Sequence, residues 1–312
     1  MIDSANHVTV VSAMSRLARC GGWARLLEGK PLEDELDLLD AELLVQAGVL
    51  RRLPDDSLRP TDAHPWFFDP SAMAASTVSL LRQALDHAEG RVGGWSGHDP
   101  ETLLAQGLAS SSAASVVAEC VVPLMPECLE AFEAGTGTLL DVGVGVAGFA
   151  TTICQEFPGA RAVGIDVLAP VLEQAAQRIA DVGLSDRIEL REQSVTDLTD
   201  VERFDLVWLP QAFIPPAAFR PGLEAVHRAL RPGRWLVVLL GASGQSDGTL
   251  QRAVQAHGAH LTGGGVVEAE EVRRWLLEVG FDRVRELDTG DQSLVLAHRP
   301  SLGAHHSGGK GT

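Results

Sequence analysis

Apolar positions along this chain fall into two textures that change near residue 137. Beyond it, TLLDVGV, RAVGIDV, RIELREQ, FDLVWLP and RWLVVLL read as five short strands. Helix-like segments at Phe149 to Phe157, Val171 to Val182 and Gly222 to Leu230 lie among them. Strand and helix alternating at this spacing predict a parallel sheet with helices on both faces. A last helix, Ala269 to Val279, leads into DRVRELD and QSLVLAH, joined by the turn Thr289-Gly290-Asp291. Such a hairpin places one antiparallel strand in an otherwise parallel sheet.

Ahead of residue 137 the spacing is helical and punctuated. Val10 to Leu27 carries Leu17, Trp23 and Leu27, and Asp34 to Leu50 repeats Leu36, Leu39, Leu43, Leu44 and Val49. VLRRLPDDSLRPT then predicts two short extended pieces around a Pro-Asp-Asp turn, so residues 1–90 read as a helical, winged-helix-like cap or dimerisation domain. A helix over 71–89 ends at Gly90. GGWSGHDPET follows, then a helical stretch from Pro100 to Phe132 that Pro123 and Pro126 break. Residues 91–135 are thus a helical linker and cap, 136–300 the sheet domain, and 301–312 a disordered tail.

Composition narrows the classes. With 312 residues, 45% of them hydrophobic, the chain can bury a core, and dominant disorder is excluded. Acidic residues outnumber basic ones 42 to 25, a net charge of −17, which disfavours phosphate backbones and anionic lipid. Glu33, Asp34, Glu35, Asp37, Asp40 and Glu42 make the helix before the hairpin acidic, so dimerisation or substrate capping suits the first domain better than DNA binding. Cys20, Cys120, Cys128 and Cys154 show no metal-ligand spacing and read as small apolar residues of a reducing compartment. No cleavable leader and no run of about eighteen uncharged apolar residues is evident. A soluble, cytoplasmic protein is expected.

The chemistry concentrates after the first predicted strand. Gly143-Val144-Gly145-Val146-Ala147-Gly148 matches G-x-G-x-x-G between a strand and a helix, where close backbone approach and helix N–H groups receive a ligand. Asp166 ends the next strand, 23 residues beyond Gly143, where a carboxylate can accept ribose hydroxyls. NAD and S-adenosylmethionine both suit that pair. Asp141, two residues before Gly143, would repel a pyrophosphate and suits a ligand that carries an ammonium group.

Together LLDVGVGVAGFA, AVGIDV, RIELREQSVTDL, FDLVWLPQAF, ALRPGRWLVV and VRRWLLEVGF resemble the class I S-adenosylmethionine-dependent methyltransferases of small-molecule type, over about Thr136 to Pro300. The resemblance implies an α/β, Rossmann-like sheet of seven strands, mostly parallel with one antiparallel. It also implies methyl transfer from S-adenosylmethionine to a small acceptor, such as a natural-product intermediate. Carried over by position, Asp141, Gly143 and Gly145 surround the methionyl part, Asp166 holds the ribose and Val167 packs on the adenine. Ser194, beside Val195, stands where the family has an acidic residue facing the adenine amino group. Leu209 to Gln211 line the transfer cleft. Ala147 takes the place of the family's third glycine, with Gly148 following.

The acceptor side is less determined. Related O-methyltransferases place a histidine shortly after strand four, but Leu209-Pro210-Gln211-Ala212-Phe213-Ile214-Pro215 has none, and no carboxylate cluster suggests a metal. His98, beside Trp95, is the first candidate for substrate contact and a weak one for catalysis; the other reading is an exposed capping loop in which Asp99 starts the next helix. Gln106, Gln211 and Phe213 are further pocket candidates. His227 reads as a packing residue. His257 and His260 share a face if helical, with a pocket role favoured over metal binding for want of a third ligand. The competing functions are an NAD(P)-dependent oxidoreductase and a winged-helix regulator that senses a ligand.

Overall fold

A computed structural model of the chain describes residues 4–61, 70–91, 94, 95, 98–240, 257, 263–265, 267–288 and 293–301. Its N-terminal part is helical. Helices α1 (Ser4–Arg19), α2 (Gly22–Leu27) and α3 (Glu35–Gln46) precede a small hairpin of β1 (Leu50–Arg52) and β2 (Leu58–Pro60). The continuous helix expected from Val10 to Leu27 is broken at Gly21, whose φ of 83° lies in the left-handed region. The Asp34 carboxylate accepts the Leu36 and Asp37 N–H groups and so caps α3. Leu17, Trp23, Leu26, Leu44 and Leu50 build a separate small core here. The acidic face of α3 is partly neutralised: Arg16 reaches Asp37 at 2.6 Å and Asp40 at 2.5 Å.

Helix α4 (Pro70–Ala88) packs against α5 (Pro100–Val116). Asp99 caps α5 by accepting the Thr102 N–H, with Pro100 at the first helical position. One wider turn (Val117–Val121) and a tight one (Val122–Leu124) then carry the chain past Pro123 to α6 (Pro126–Glu133). The prolines end the helix as expected, because each lacks an N–H and crowds the preceding turn. By length and composition Pro100–Leu124 is apolar enough to cross a membrane, although Glu101, Glu119 and its serines leave no run of eighteen uncharged apolar residues. Its apolarity comes largely from small residues, and it packs as a core helix on α4 and the glycine-loop helix.

The sheet comprises β3 (Thr138–Val142), β4 (Arg161–Asp166), β5 (Ile188–Glu192), β6 (Phe204–Pro210), β7 (Leu230–Leu239), β8 (Asp282–Asp288) and β9 (Ser293–His298). Their spatial order is β5-β4-β3-β6-β7-β9-β8. All neighbouring pairs are parallel except those made by β9, which is antiparallel to β7 and β8. This is the predicted seven-stranded α/β sheet with one antiparallel strand. Helices α7 (Gly148–Glu156), α8 (Ala169–Asp181), α9 (Pro216–Ala229) and α10 (Ala269–Val279) cover it. The predicted turn at residues 289–291 lies outside the described residues, as does the tail beyond Ser301.

Side chains alternate between two cores. Leu139, Leu206 and Trp208 pack toward α5, α6 and α7, whereas Leu140, Val207 and Leu209 pack toward α9 and α10. At the lower edge Asp205 is buried, accepting the Thr138 N–H at 2.9 Å and pairing with Arg231 and with Arg234 Nε at 2.9 Å. Because the strand order reverses at β3, a crevice opens above its carboxyl end.

Candidate functional site

That crevice is a cleft of about 580 Å³, within the range usual for small-ligand pockets. Its floor is the glycine loop from Val142 to Gly145; the ends of β4 and β5 supply Asp166, Val167, Gln193, Ser194 and Val195. Leu103, Gln106, Gly107 and Ser110 of α5 form one wall, and Trp95, Phe213, Ile214 and Pro215 close the far end. Asp166 is the only charged side chain among the described lining residues.

Gly143 and Gly145 have φ of 67° and 54°, where a β-carbon would be strained, and little stands over either. Gly145 donates its N–H to Asp166 Oδ2 at 3.0 Å, while Asp166 Oδ1 accepts the Leu168 N–H at 3.0 Å. The carboxylate therefore ties the loop to the end of β4 and keeps free lone pairs toward the cleft. Burial raises its pKa, and the N–H groups of Gly145, Leu168 and Val167 oppose that shift. Val167 is 62% exposed, an apolar surface left open beside Asp166. An open glycine cradle, a carboxylate with spare lone pairs and a bare apolar shelf fit a nucleoside bearing positive charge. A pyrophosphate finds no cation among the described lining residues.

Four predicted residues sit elsewhere or differently. Asp141 does not line the cleft: it is buried beneath the loop, and its Oδ2 accepts the Ala150 N–H at 3.1 Å. Burial pushes its pKa up to about 8, with the Ala150 N–H opposing and the neighbouring charge of Asp166 adding to the rise. Strand parity is the reason, since β3 turns residues 139 and 141 toward α7. Leu209 is likewise turned into the opposite core. Gln211 is buried, with Nε2 donating to the Gly265 carbonyl at 2.7 Å, and holds the turn after β6 to the segment before α10. His98 is buried rather than exposed, 2.7 Å from Asp86 Oδ2 through Nδ1.

Trp95, Gln106 and Phe213 do face the cleft, and the Trp95 and Phe213 rings meet edge to face at 5.4 Å. His227 packs edge-on against Phe281. His257 lies 3.3 Å from His87 through Nε2 atoms, and His260 falls outside the described residues. Among the described residues no cluster of three or more His, Cys, Asp or Glu could hold a metal. Sequence reasoning missed Leu103, Gly107 and Ser110. The available signal was an isolated glycine inside a helix of small residues, which marks a close backbone approach.

Residues 139–233 match the model of a methyltransferase domain. Over that stretch the chain is similar to methyltransferase domains. A curated relative, the ribosomal protein uL3 glutamine methyltransferase of Bordetella pertussis, is 26% identical over 144 residues, 46% of this chain. The chain spans 44% of that relative's length. Similar folds extend over nearly the whole chain. Human N-acetylserotonin methyltransferase in complex with S-adenosylmethionine shares 17% identity, covering 96% of each chain with a TM-score of 0.59. The pyocyanin biosynthetic protein PhzM shares 16%, covering 93% of this chain and 94% of its own, with a TM-score of 0.60. An O-methyltransferase family protein from Burkholderia thailandensis shares 16%, covering 85% and 84%, with a TM-score of 0.56. The sheet with its helical cap thus shares the fold of these structures.

Proposed function

We propose that the protein transfers a methyl group from S-adenosylmethionine to a small-molecule acceptor, a natural-product intermediate, bound between the glycine loop and the cap. The observation that carries this reading is the cleft's charge: one carboxylate, Asp166, and no lysine or arginine among the described lining residues. A sulfonium cofactor is cationic and gains from that field, whereas a dinucleotide would bury its phosphates unpaired.

In this reading Gly143 and Gly145 approach the methionyl part and Asp166 accepts the ribose hydroxyls. Val167 lies on one face of the adenine, with Ser194 and Val195 at its edge. Asp141 acts from beneath, fixing the head of α7 under the loop. The bound cofactor supplies an electrophilic methyl group, so the chain's task is to align a nucleophile and exclude water. Trp95 and Phe213 offer a flat apolar seat for the acceptor, and Gln106 and Ser110 offer hydrogen bonds beside it.

We also propose a cytoplasmic protein that pairs through its N-terminal helices and binds neither nucleic acid nor membrane. The free cysteines, the −17 charge and the exposed Leu36, Leu38, Leu39, Leu80, Leu81 and Leu85 on α3 and α4 support this.

Calorimetry with S-adenosylhomocysteine and NADH tests the cofactor. Binding of the first and not the second is expected; the reverse would overturn the proposal. A panel of phenols and amines with methyl-labelled cofactor then identifies the acceptor.

A further inference from the structure

The N–H groups of the glycine loop that line the cleft are already engaged within the protein. Gly143 and Val144 both donate to the Ile165 carbonyl, at 2.9 and 3.0 Å, and Gly145 donates to Asp166 Oδ2 at 3.0 Å. Ala147 turns its N–H back to the Val144 carbonyl at 2.9 Å. Val146 is fully buried against α5, where a β-carbon on Gly107 would stand 3.4 Å from its nitrogen. The floor of the cleft therefore offers an anion surface without donors, beside the carboxylate of Asp166. A ligand carboxylate entering here has to take its hydrogen bonds from side chains, because an unpaired charge out of water is strongly disfavoured.

Few side chains can give them. Gln193 donates Nε2 to the Asp197 carbonyl at 2.8 Å, and Ser194 shares its hydroxyl with that of Thr196 at 2.8 Å. Ser110 donates to the Gln106 backbone carbonyl at 3.2 Å. Trp95 stands at the far end, against Phe213. Gln106 differs from all of these. Its Oε1 turns to α4, where it accepts the Ser79 hydroxyl at 2.8 Å, and Ser79 in turn accepts Gln83 Nε2 at 2.8 Å. Ser79 and Gln83 are buried, so this chain fixes which end of the Gln106 amide lies between the helices. The end left for the cleft is Nε2 with its two hydrogens, and no described residue accepts from it. A neutral donor is also the suitable kind. An arginine or lysine would hold a carboxylate more strongly but would repel a sulfonium, whereas an amide holds the one without opposing the other.

We propose that Gln106 forms a carboxylate-binding subsite on the cap, its Nε2 donating to a carboxylate oxygen of the bound ligand, with Ser79 and Gln83 positioning the amide. The inference rests on the methyl-transfer reading above, which gives that oxygen two sources: the amino-acid end of the cofactor, or a carboxylate on the methyl acceptor. Contact with the anionic group, which motif position alone would give to the glycine loop, passes to a side chain ahead of the stretch that matches the methyltransferase model.

Calorimetry on the full chain tests the subsite and separates the sources. S-adenosylhomocysteine carries the amino-acid end, and methylthioadenosine is a thioether of the same nucleoside without it. Where the cofactor is the source, Gln106→Leu should weaken S-adenosylhomocysteine roughly tenfold or more, the scale of a hydrogen bond to a charged group, and leave methylthioadenosine unchanged. Gln106→Glu, of the same shape but anionic and without hydrogens to give, should lose more, and it decides the matter if the leucine variant does not fold. Ser79→Ala should show a smaller loss of the same selectivity. Where the acceptor is the source, the variants should bind both nucleosides as wild type does. Loaded with S-adenosylhomocysteine, they should instead lose 4-hydroxybenzoate roughly tenfold relative to 4-hydroxybenzyl alcohol. Equal losses within each pair of ligands, or no separation of either pair by the variants, overturn the inference. Failure of both nucleosides to bind wild type sinks the methyl-transfer reading itself.

Discussion

Gly107 on α5 and Gly148 at the head of α7 cross backbone against backbone: a β-carbon on Gly148 would stand 1.9 Å from the Gly107 carbonyl oxygen. A β-carbon on Gly107 would in turn stand 1.9 Å from Val146 Cγ2. The helix that walls the cleft is thus keyed to the loop that floors it. The two clashes differ in kind, because one neighbour is backbone and the other a side chain.

Gly148→Ala should therefore cost about 3 kcal/mol or more and weaken S-adenosylhomocysteine binding, since backbone has to shift. Gly107→Ala should be rescued in large part by Val146→Ala, which removes the clashing methyl groups. Chemical denaturation of the two singles and the double completes the cycle. Additive losses in the double variant would contradict the packing described.

Asp166→Ala should lower S-adenosylhomocysteine affinity by roughly 10- to 100-fold with the fold retained, the scale of hydrogen bonds to a charged group. The loss has two sources, the ribose contacts and the Gly145 N–H that Asp166 holds. Calorimetry at matched temperature reads it directly.

Leu209→Ala and Phe213→Ala should separate stability from binding. Leu209 is fully buried in the core facing α9, so its truncation should cost about 2–5 kcal/mol. Phe213 lines the cleft and meets the Trp95 ring edge to face, so its truncation should chiefly raise the KM of an aromatic acceptor. A thermal melt beside a substrate titration distinguishes the two.

Asp141 should make stability fall as pH rises. Its folded pKa of about 8 lies above the ordinary 3.8, so the folded state holds the extra proton between those values. The stabilising contribution is complete below 3.8 and is lost as pH climbs through about 8, at up to about 1.4 kcal/mol per pH unit. Asp141→Asn, which keeps the side chain neutral, should flatten that slope in denaturation curves measured across the interval.

How far the sequence alone reached depended on which physical signal each residue carried. Strands such as FDLVWLP and RWLVVLL, buried on both faces, are continuous apolar runs, and the tail hairpin declares its antiparallel strand. Asp166 was legible because a carboxylate ending the strand after a glycine loop has few other uses. Asp141 and Leu209 were misplaced because motif position says nothing of parity, and one residue along a strand moves a side chain to the opposite face. The Asp86–His98 pair could not be read at all. Its members belong to separate helical segments, and only the packing of α4 on α5 brings them together.

The stretch that matches the methyltransferase domain begins at residue 139, yet Leu103, Gln106, Gly107 and Ser110 of the cleft wall lie ahead of it. A chain shortened to start at Thr136 would lose that wall and bare Val146 and Phe149 to water. Exchanging caps between chains of this fold is subject to the same condition. A foreign cap has to bring a residue without a side chain to the point where it meets Val146, or the new pairing will not seat.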